Sequence, residues 1–165
     1  AGTISPTIFT ANSGTTFLNA VNKHSRRGKI VKPALVDTDI LSMFFRGNRI
    51  VVSRFEAYLN EHAQINLSIV TYYEIISGLK HRDAQNQLTL FLEFAAQNII
   101  LPLTEQSVVL SADMYATLRR DGTPVDDIDL LIAGVAIANN LVLVTHNQRH
   151  FNRIEGLEWE DWSQS

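Results

Sequence analysis

Short apolar runs with the character of β-strands alternate along this chain with segments of helical periodicity. From Pro33 onward, four runs fit strands: 34–36, 65–67, 99–103 and 141–144. Between them, apolar residues recur at helical spacing and are interrupted by polar or Gly-containing clusters. Such alternation favours a parallel sheet with helices on both faces. We therefore predict an α/β fold with three layers, α/β/α, around a central mostly parallel sheet.

Several predicted helices begin at residues that favour helix N-termini. Ser68 is expected to cap a helix that continues through Leu79, and Thr104 a helix that continues to about Arg120. Asp129 is predicted to begin the apolar helix that ends near Asn139. The other segments with helical spacing are 40–45, 51–63 and 88–96.

The composition favours one ordinary globular domain. The chain has 165 residues, of which 45% are hydrophobic, and it has no cysteine, so disulfides and thiolate zinc sites are excluded. No apolar run approaches the roughly 18 residues that a membrane span needs, and the N-terminus lacks the order of a signal peptide. We expect a soluble, cytoplasmic protein that does not contact membranes.

Charge is distributed unevenly. Residues 1–33 contain five basic residues and no acidic one, whereas 34–165 contain nine basic and seventeen acidic residues. We interpret 1–33 as an extension, basic toward its end, and 34–165 as the folded domain. We favour the interpretation that the extension is disordered or foreign to the native protein. The alternative is that its segment 23–32 is a basic arm that helps to hold RNA or a partner. The acidic domain is not a general nucleic-acid binder.

Acidic residues occur at the edges of several apolar runs: Asp37, Glu74 and the group Asp126, Asp127 and Asp129. In open α/β sheets, ligands bind beyond the carboxyl ends of the strands, where Asp37 and the turn 145–147 are expected. Carboxylates gathered there would repel one another and raise one another's pKa unless a hard divalent cation bound them. The sequence therefore points to a Mg2+ or Mn2+ site.

All of these acidic residues except Glu74 also have a simpler structural explanation. Asp37 and Asp39 could be turn and cap residues, and Asp129 alone would be interpreted as a helix N-cap. Asp126 and Asp127 fit solvated loop positions. Glu74 differs, because a carboxylate in the middle of an apolar helix is costly to bury without a partner.

The polar residues near these acids are ordinary turn and cap formers when taken singly, namely Ser68, Thr71, Thr145 and Asn147. Taken in order with the acids, however, the motifs resemble those of the PIN-domain family, and within it the VapC-like toxins of bacterial toxin–antitoxin pairs. The matching segments are LVDTDIL (35–41), SIVTYYE (68–74), DLLIA (129–133), LVTHN (143–147) with Phe151, and GLEWEDW (156–162). The resemblance covers about residues 34–162 and is specific only as an ordered set.

The resemblance implies a Mg2+- or Mn2+-dependent endoribonuclease. Its metal-binding and catalytic residues would be Asp37, Glu74 and Asp129, and its products would carry a 5′-phosphate and a 3′-hydroxyl. The supporting or substrate-orienting residues would be Asp39, Ser68, Thr71, Thr145 and Asn147. Two of these depart from the family pattern, since the family often has Asn at position 39 and an acid at position 147. A second metal ion, if used, would therefore bind more weakly here.

The resemblance also implies partners. Family members cleave structured RNA, often tRNA, form homodimers and are inhibited by a cognate antitoxin that fills the acidic cleft. Candidates to hold the RNA backbone are Arg46, Arg49, Lys80, Arg82, Arg119 and Arg120.

Two other functions stay open at this point. A phosphatase of the haloacid-dehalogenase type would use Asp37 and Asp39 as nucleophile and acid, although Leu41 stands where that family prefers Thr or Val. A non-catalytic PIN-like binding module would keep the fold without the activity, and the presence of Asp37, Glu74 and Asp129 argues against it.

Overall fold

The computed structural model describes residues 32–164, which hold five strands and seven helices. The strands are β1 (Ala34–Val36), β2 (Asn66–Ser68), β3 (Ile99–Leu101), β4 (Val142–Val144) and β5 (Trp159–Glu160). The helices are α1 (Thr38–Phe45), α2 (Arg49–Glu61), α3 (Ile69–His81), α4 (Gln85–Ala96), α5 (Glu105–Arg120), α6 (Asp127–Ala138) and α7 (Gln148–Phe151). None of these helices combines the length and apolarity needed to cross a bilayer.

The predicted N-terminal extension lies outside the described residues except for its last two. Lys32, at the end of the proposed basic arm, pairs with Glu158 near the other end of the chain, and both side chains are exposed. The interpretation of 1–33 as an extension therefore stays a prediction.

The strands form one sheet in the order β3-β2-β1-β4-β5, and every neighbouring pair is parallel. The prediction of a mostly parallel sheet is thus confirmed, and within residues 32–164 the sheet is wholly parallel. β1 lies at its centre, with Val36 opposite Val144 of β4. All strands therefore end at the same edge, which we call the carboxyl edge.

Helices cover both faces of the sheet, which confirms the three-layer architecture. Successive residues of a strand point to opposite faces, so Leu35 and Val36 of β1 belong to two different cores. Residues of α1 to α4 supply most of the core on the Val36 side, and residues of α5 to α7 supply most of the core on the Leu35 side.

Two helices begin directly at the carboxyl edge. Asp37 follows β1 and is the N-cap of α1, while Ser68 ends β2 and, as predicted, caps α3 by accepting from the Thr71 N–H. The helix predicted to start after Thr104 is also confirmed, with Thr104 and Ser107 forming a capping box. The predicted strand 99–103 ends at Leu101, because Pro102 cannot donate to a ladder.

The segment after α7 returns to the sheet as its edge strand β5. The Thr145 N–H donates to the Glu160 carbonyl over 2.9 Å. Two residues later, Trp162 is buried, with its ring centroid 5.3 Å from that of Phe55 and 5.4 Å from that of Tyr58. This segment is therefore fixed both by strand pairing and by aromatic packing.

Candidate active site

Asp37 lies at the centre of the carboxyl edge with only 5% of its surface exposed. One carboxylate oxygen accepts from the Thr38 N–H at 2.8 Å, and the other accepts from the Thr145 hydroxyl at 2.9 Å. Burial and then the nearby charge of Asp39 are the main causes that raise the pKa of Asp37 to about 7. Near neutral pH, this carboxyl group is thus only partly ionised unless a cation binds it.

Asp39 lies in the first turn of α1, and its side chain reaches the residues that follow β4. Its carboxylate accepts from the Ile40 N–H at 2.6 Å and from the His146 N–H at 2.9 Å. Burial raises its pKa, and these hydrogen bonds oppose the increase. The additional acid that we noted in the sequence is thus built into the site rather than turned toward solvent.

Glu74 comes from α3 and is held by a residue of α1. Its carboxylate accepts from the Thr38 hydroxyl at 2.6 Å. Burial raises its pKa, and the charges of Asp129 and Asp126 raise it further. Glu74 therefore lies close enough to the α6 acids to be repelled by them.

Ser68 and Thr71 are fully buried and hydrogen-bonded to each other, with 3.0 Å between their hydroxyl oxygens. They fix the first turn of the helix that carries Glu74. The direct hydrogen bond to Glu74 comes instead from Thr38.

Asp129 lies in the first turn of α6 but is not its N-cap, so that interpretation was wrong. The cap is Asp126, which accepts from the Ile128 N–H at 2.9 Å, and the helix starts two residues earlier than predicted. Asp126 and Asp127 are exposed, as expected, yet they belong to a helix terminus and not to a loop. Asp129 is thereby free to point into the site.

Two side chains contact the Asp129 carboxylate. Asn147 Nδ2 donates to it at 3.2 Å, and His150 Nδ1 lies 2.5 Å from the same oxygen. For the second contact to be a hydrogen bond, His150 must carry its proton on Nδ1. Asn147 is thus a neutral residue whose side-chain amide orients the Asp129 carboxylate.

The four carboxylates of Asp37, Asp39, Glu74 and Asp129 meet at one edge, and their mutual repulsion contributes to the raised pKa values. A hard divalent cation would relieve this repulsion, and oxygen ligands are those that Mg2+ and Mn2+ prefer. Within residues 32–164, no three acidic or His side chains are already gathered closely enough to hold a metal ion. The donor set therefore fits such an ion by its chemistry, and each of the four carboxylates is hydrogen-bonded to neighbouring protein groups.

The sequence did not single out three residues that contact the acids: Thr38, His146 and His150. Thr38 stands between two acids in the first turn of α1, and His150 lies three residues after Asn147 on the following helix. These positions in the sequence are the only local signals that could have pointed to the two residues. The contacts with the acids depend on how distant segments of the chain pack.

The six basic residues predicted to hold RNA are all exposed, and none forms an ion pair within the described residues. The Arg119 guanidinium lies over the Tyr115 ring, 4.6 Å from its centroid, and Arg120 contacts the Thr117 hydroxyl. These side chains are accessible to an anionic ligand.

The comparison with known families bears on the first of the open alternatives. The family model described as "PIN domain" matches residues 34–157. The chain belongs to the PIN domain family. The match includes every acid of the candidate site and favours a PIN domain over a phosphatase built on Asp37 and Asp39, whereas a PIN-like module without activity is distinguished only by a test for cleavage.

Named relatives of this PIN domain are VapC ribonucleases. The tRNA(fMet)-specific endonuclease VapC of Shigella flexneri is 32% identical over 130 residues, which cover 78% of this chain and 97% of that protein. Ribonuclease VapC1 of Haemophilus influenzae strain R2866 is 28% identical over 130 residues, with the same shares covered.

Solved structures agree with the sequence comparison. The PIN domain matches a chain of the DNA-bound VapBC complex from Salmonella typhimurium with a TM-score of 0.71 and 29% identity, covering 80% of this chain and 99% of that one. It also matches VapBC-1 from nontypeable Haemophilus influenzae with a TM-score of 0.67 and 29% identity, covering 79% and 98%. The fold of this PIN domain thus extends over nearly the whole length of these VapBC chains.

Proposed function

We propose that this chain is a metal-dependent endoribonuclease toxin that hydrolyses phosphodiester bonds in RNA. The observation that carries the proposal is the convergence of Asp37, Glu74 and Asp129 in a PIN domain, with raised pKa values at Asp37 and Glu74. The relatives named as ribonucleases support the substrate class.

In this proposal, Asp37, Glu74 and Asp129 hold Mg2+ or Mn2+. When bound, such an ion lowers the pKa of a water molecule and offsets the charge that develops on the phosphate oxygens. Protein groups keep the carboxylates oriented for this task. The Thr38 N–H and the Thr145 hydroxyl restrain the two oxygens of Asp37, and the Thr38 hydroxyl restrains Glu74.

Asp129 is oriented by Asn147 and His150. Because Asn147 is neutral where the family often has an acid, the site carries less negative charge on this side. We infer that one ion is bound firmly, and that any second ion is bound more weakly.

We propose tRNA as the first substrate to test, because one relative is named a tRNA(fMet)-specific endonuclease. The exposed basic residues Arg46, Arg49, Lys80, Arg82, Arg119 and Arg120 would contact the RNA backbone, since the acidic site itself repels phosphates.

A cognate antitoxin is the proposed protein partner, since the matching solved chains come from VapBC toxin–antitoxin complexes. A basic side chain of such a partner would be attracted to the four carboxylates and would compete with the cation. We also propose that the protein forms a homodimer. We further propose that it is located in the cytoplasm, where it would encounter RNA and the antitoxin.

The test is incubation of the purified, antitoxin-free protein with total tRNA, and separately with rRNA, in Mg2+, Mn2+ or EDTA, beside the Asp129→Asn variant. Discrete fragments that disappear with EDTA and with the variant are expected. A protein that binds Mn2+ but cleaves no RNA would contradict the proposal and favour a binding module. An aspartyl-phosphate on Asp37 would favour a phosphatase.

A further inference from the structure

A network of hydrogen bonds joins the turn 145–147 and the start of α7 to the C-terminal segment of the described chain. We propose that Asp161 is a positioning residue for the active site, which holds this turn and, through it, the orientation of the acids. The inference rests on the proposed function, because the arrangement it maintains is the one that would bind the cation.

The carboxylate of Asp161 is a buried hydrogen-bond acceptor. Only 4% of its side chain is exposed, although its carboxylate is the centre of a polar network. The donors to this carboxylate are the Ser163 N–H (2.8 Å), the Ser163 hydroxyl (2.6 Å), Gln148 Nε2 (3.0 Å), His146 Nδ1 (3.0 Å) and Gln164 Nε2 (3.3 Å). Burial acts to raise the pKa of Asp161, but these hydrogen bonds outweigh burial and hold the pKa well below its usual value.

The position of Asp161 in the chain makes it a rigid anchor. It lies between the edge strand β5, which pairs with β4, and Trp162, which is buried against Phe55 and Tyr58. Its backbone is therefore fixed from both sides.

From this anchor, one oxygen of Asp161 holds two residues that flank Asn147. Oδ2 accepts from His146 on one side and from Gln148 on the other, both at 3.0 Å. The turn that carries Asn147 is thereby tied to the C-terminal segment at two points.

The same turn contacts three of the four acids. The Thr145 hydroxyl donates to Asp37, the His146 N–H to Asp39 and the Asn147 amide to Asp129. A displacement of the turn would therefore change the orientation of three carboxylates together. Neighbours that orient ligands in this way typically alter metal affinity or activity ten- to a hundredfold when removed.

The contacts of His146 exclude a different interpretation of this network. Ser163, His146 and Asp161 are the residue types of a nucleophilic triad, but the Ser163 hydroxyl (2.9 Å) and the Asp161 carboxylate (3.0 Å) meet the same ring nitrogen, Nδ1. A triad requires the serine at the other nitrogen. The network is thus suited to holding a turn and not to activating Ser163.

The test compares Asp161→Ala, His146→Ala and the double variant with the wild type and with Glu158→Gln. Glu158 is a matched control because it lies in the same segment with an exposed side chain. His146→Ala keeps the backbone N–H that binds Asp39 and removes the contacts of the ring with Asp161 and Ser163. Three quantities are measured: kcat and KM for cleavage of total tRNA, Mn2+ affinity by calorimetry without RNA, and unfolding in urea.

We expect a roughly ten- to hundredfold loss of kcat and a weaker Mn2+ affinity in each single variant, with little change in KM. The double variant should lose no more than Asp161→Ala alone, because Asp161→Ala already removes the connection that His146→Ala breaks. Glu158→Gln should behave as the wild type.

Wild-type kcat and Mn2+ affinity in Asp161→Ala would overturn the inference. So would losses that vanish at a lower temperature at which urea unfolding shows the variant fully folded, since the role would then be stability alone. Independent, multiplying losses in the double variant would also overturn it. If the wild type itself cleaves no RNA, the proposed function fails, whereas Mn2+ affinity still reports whether the network positions the acids.

Discussion

The hydroxyl of Thr145, at the end of β4, donates to the carboxylate of Asp37, at the end of β1, over 2.9 Å, although the two residues lie 108 positions apart in the sequence. This contact joins the central strand β1 to its neighbour β4 at the carboxyl edge, where the acids lie. Asp37 has no ion-pair partner among residues 32–164. Its carboxylate is restrained by two hydrogen-bond donors and lies close to other negative charges.

Asp37→Asn should stabilise the metal-free protein at neutral and alkaline pH. Because the pKa of Asp37 is raised to about 7 from 3.8, the folded chain keeps a proton there between about pH 4 and 7 that the unfolded chain has released. The wild type in EDTA therefore loses stability as pH rises through this window, by an amount on the order of 2–4 kcal/mol from Asp37, and the variant lacks this contribution.

Urea unfolding in EDTA from pH 5 to 8 measures this difference, with the exposed Glu93→Gln variant as control. The same pH dependence in Asp37→Asn and in the control would contradict the expectation. Asp37→Asn should also abolish cleavage, since it removes a proposed metal ligand.

Thr38→Val should lower kcat by roughly ten- to a hundredfold while the fold is retained. Valine keeps the shape of the side chain but lacks the hydroxyl that donates to Glu74 at 2.6 Å. Steady-state cleavage of RNA measures the effect, and Thr38→Ser is the matched control because it restores the hydroxyl. If Val and Ser variants cleave equally well, Thr38 does not orient Glu74.

Gly134→Ala should destabilise the packing of α5 against α6. A Cβ at Gly134 would lie 2.2 Å from Ser111 Oγ and 2.4 Å from the Ser107 carbonyl oxygen, which belongs to the backbone and cannot move aside. Overpacking of this kind costs about 1–3 kcal/mol. Because α6 carries Asp129, activity should fall as well.

Gly78→Ala is the matched control for this variant. Nothing lies within 4 Å of a Cβ at Gly78, in the interior of α3, so alanine there should stabilise the helix by about 0.5–1 kcal/mol. Urea denaturation gives the free energy of unfolding of both variants and of the wild type. If Gly134→Ala is as stable as the wild type, α5 and α6 can move apart without cost.

Replacing both Arg119 and Arg120 by Gln should raise KM for RNA with little change in kcat. Both side chains are exposed at the end of α5 and would act by contacting phosphates. The salt dependence of binding should become shallower, because fewer counterions are released. Arg54→Gln, an exposed arginine on α2 outside the predicted set, serves as control, and an unchanged salt slope in the double variant would remove these residues from the RNA surface.

Much of the fold could be predicted because its signals are local. The run from Leu141 to Val144 is apolar and β-branched, and Ser68 and Thr104 are strong helix caps, so strand and helix existence followed from neighbouring residues alone. The start of α6 was misjudged because Asp126, Asp127 and Asp129 are all good capping residues. Only the backbone conformation decides which of them serves as the cap.

The site could be predicted less completely, for a physical reason. The acids are recognisable because a carboxylate such as Glu74 is out of place in an apolar helix. The groups that hold them are ordinary in type, and His150 or Asp161 becomes significant only when two distant segments pack together. The resemblance to PIN domains supplied the ordered set of acids but not these contacts.

The central position of β1 has a consequence for the timing of synthesis. Asp37 is synthesised before its strand neighbour β4 and the restraining Thr145, which lie more than a hundred residues later. A nascent chain that still lacks β4 therefore cannot assemble the proposed nuclease site while it is surrounded by ribosomal and transfer RNA. In the proposed ribonuclease, RNA cleavage begins only after β4 has been translated and inserted beside β1, so the order of the strands itself would delay this activity.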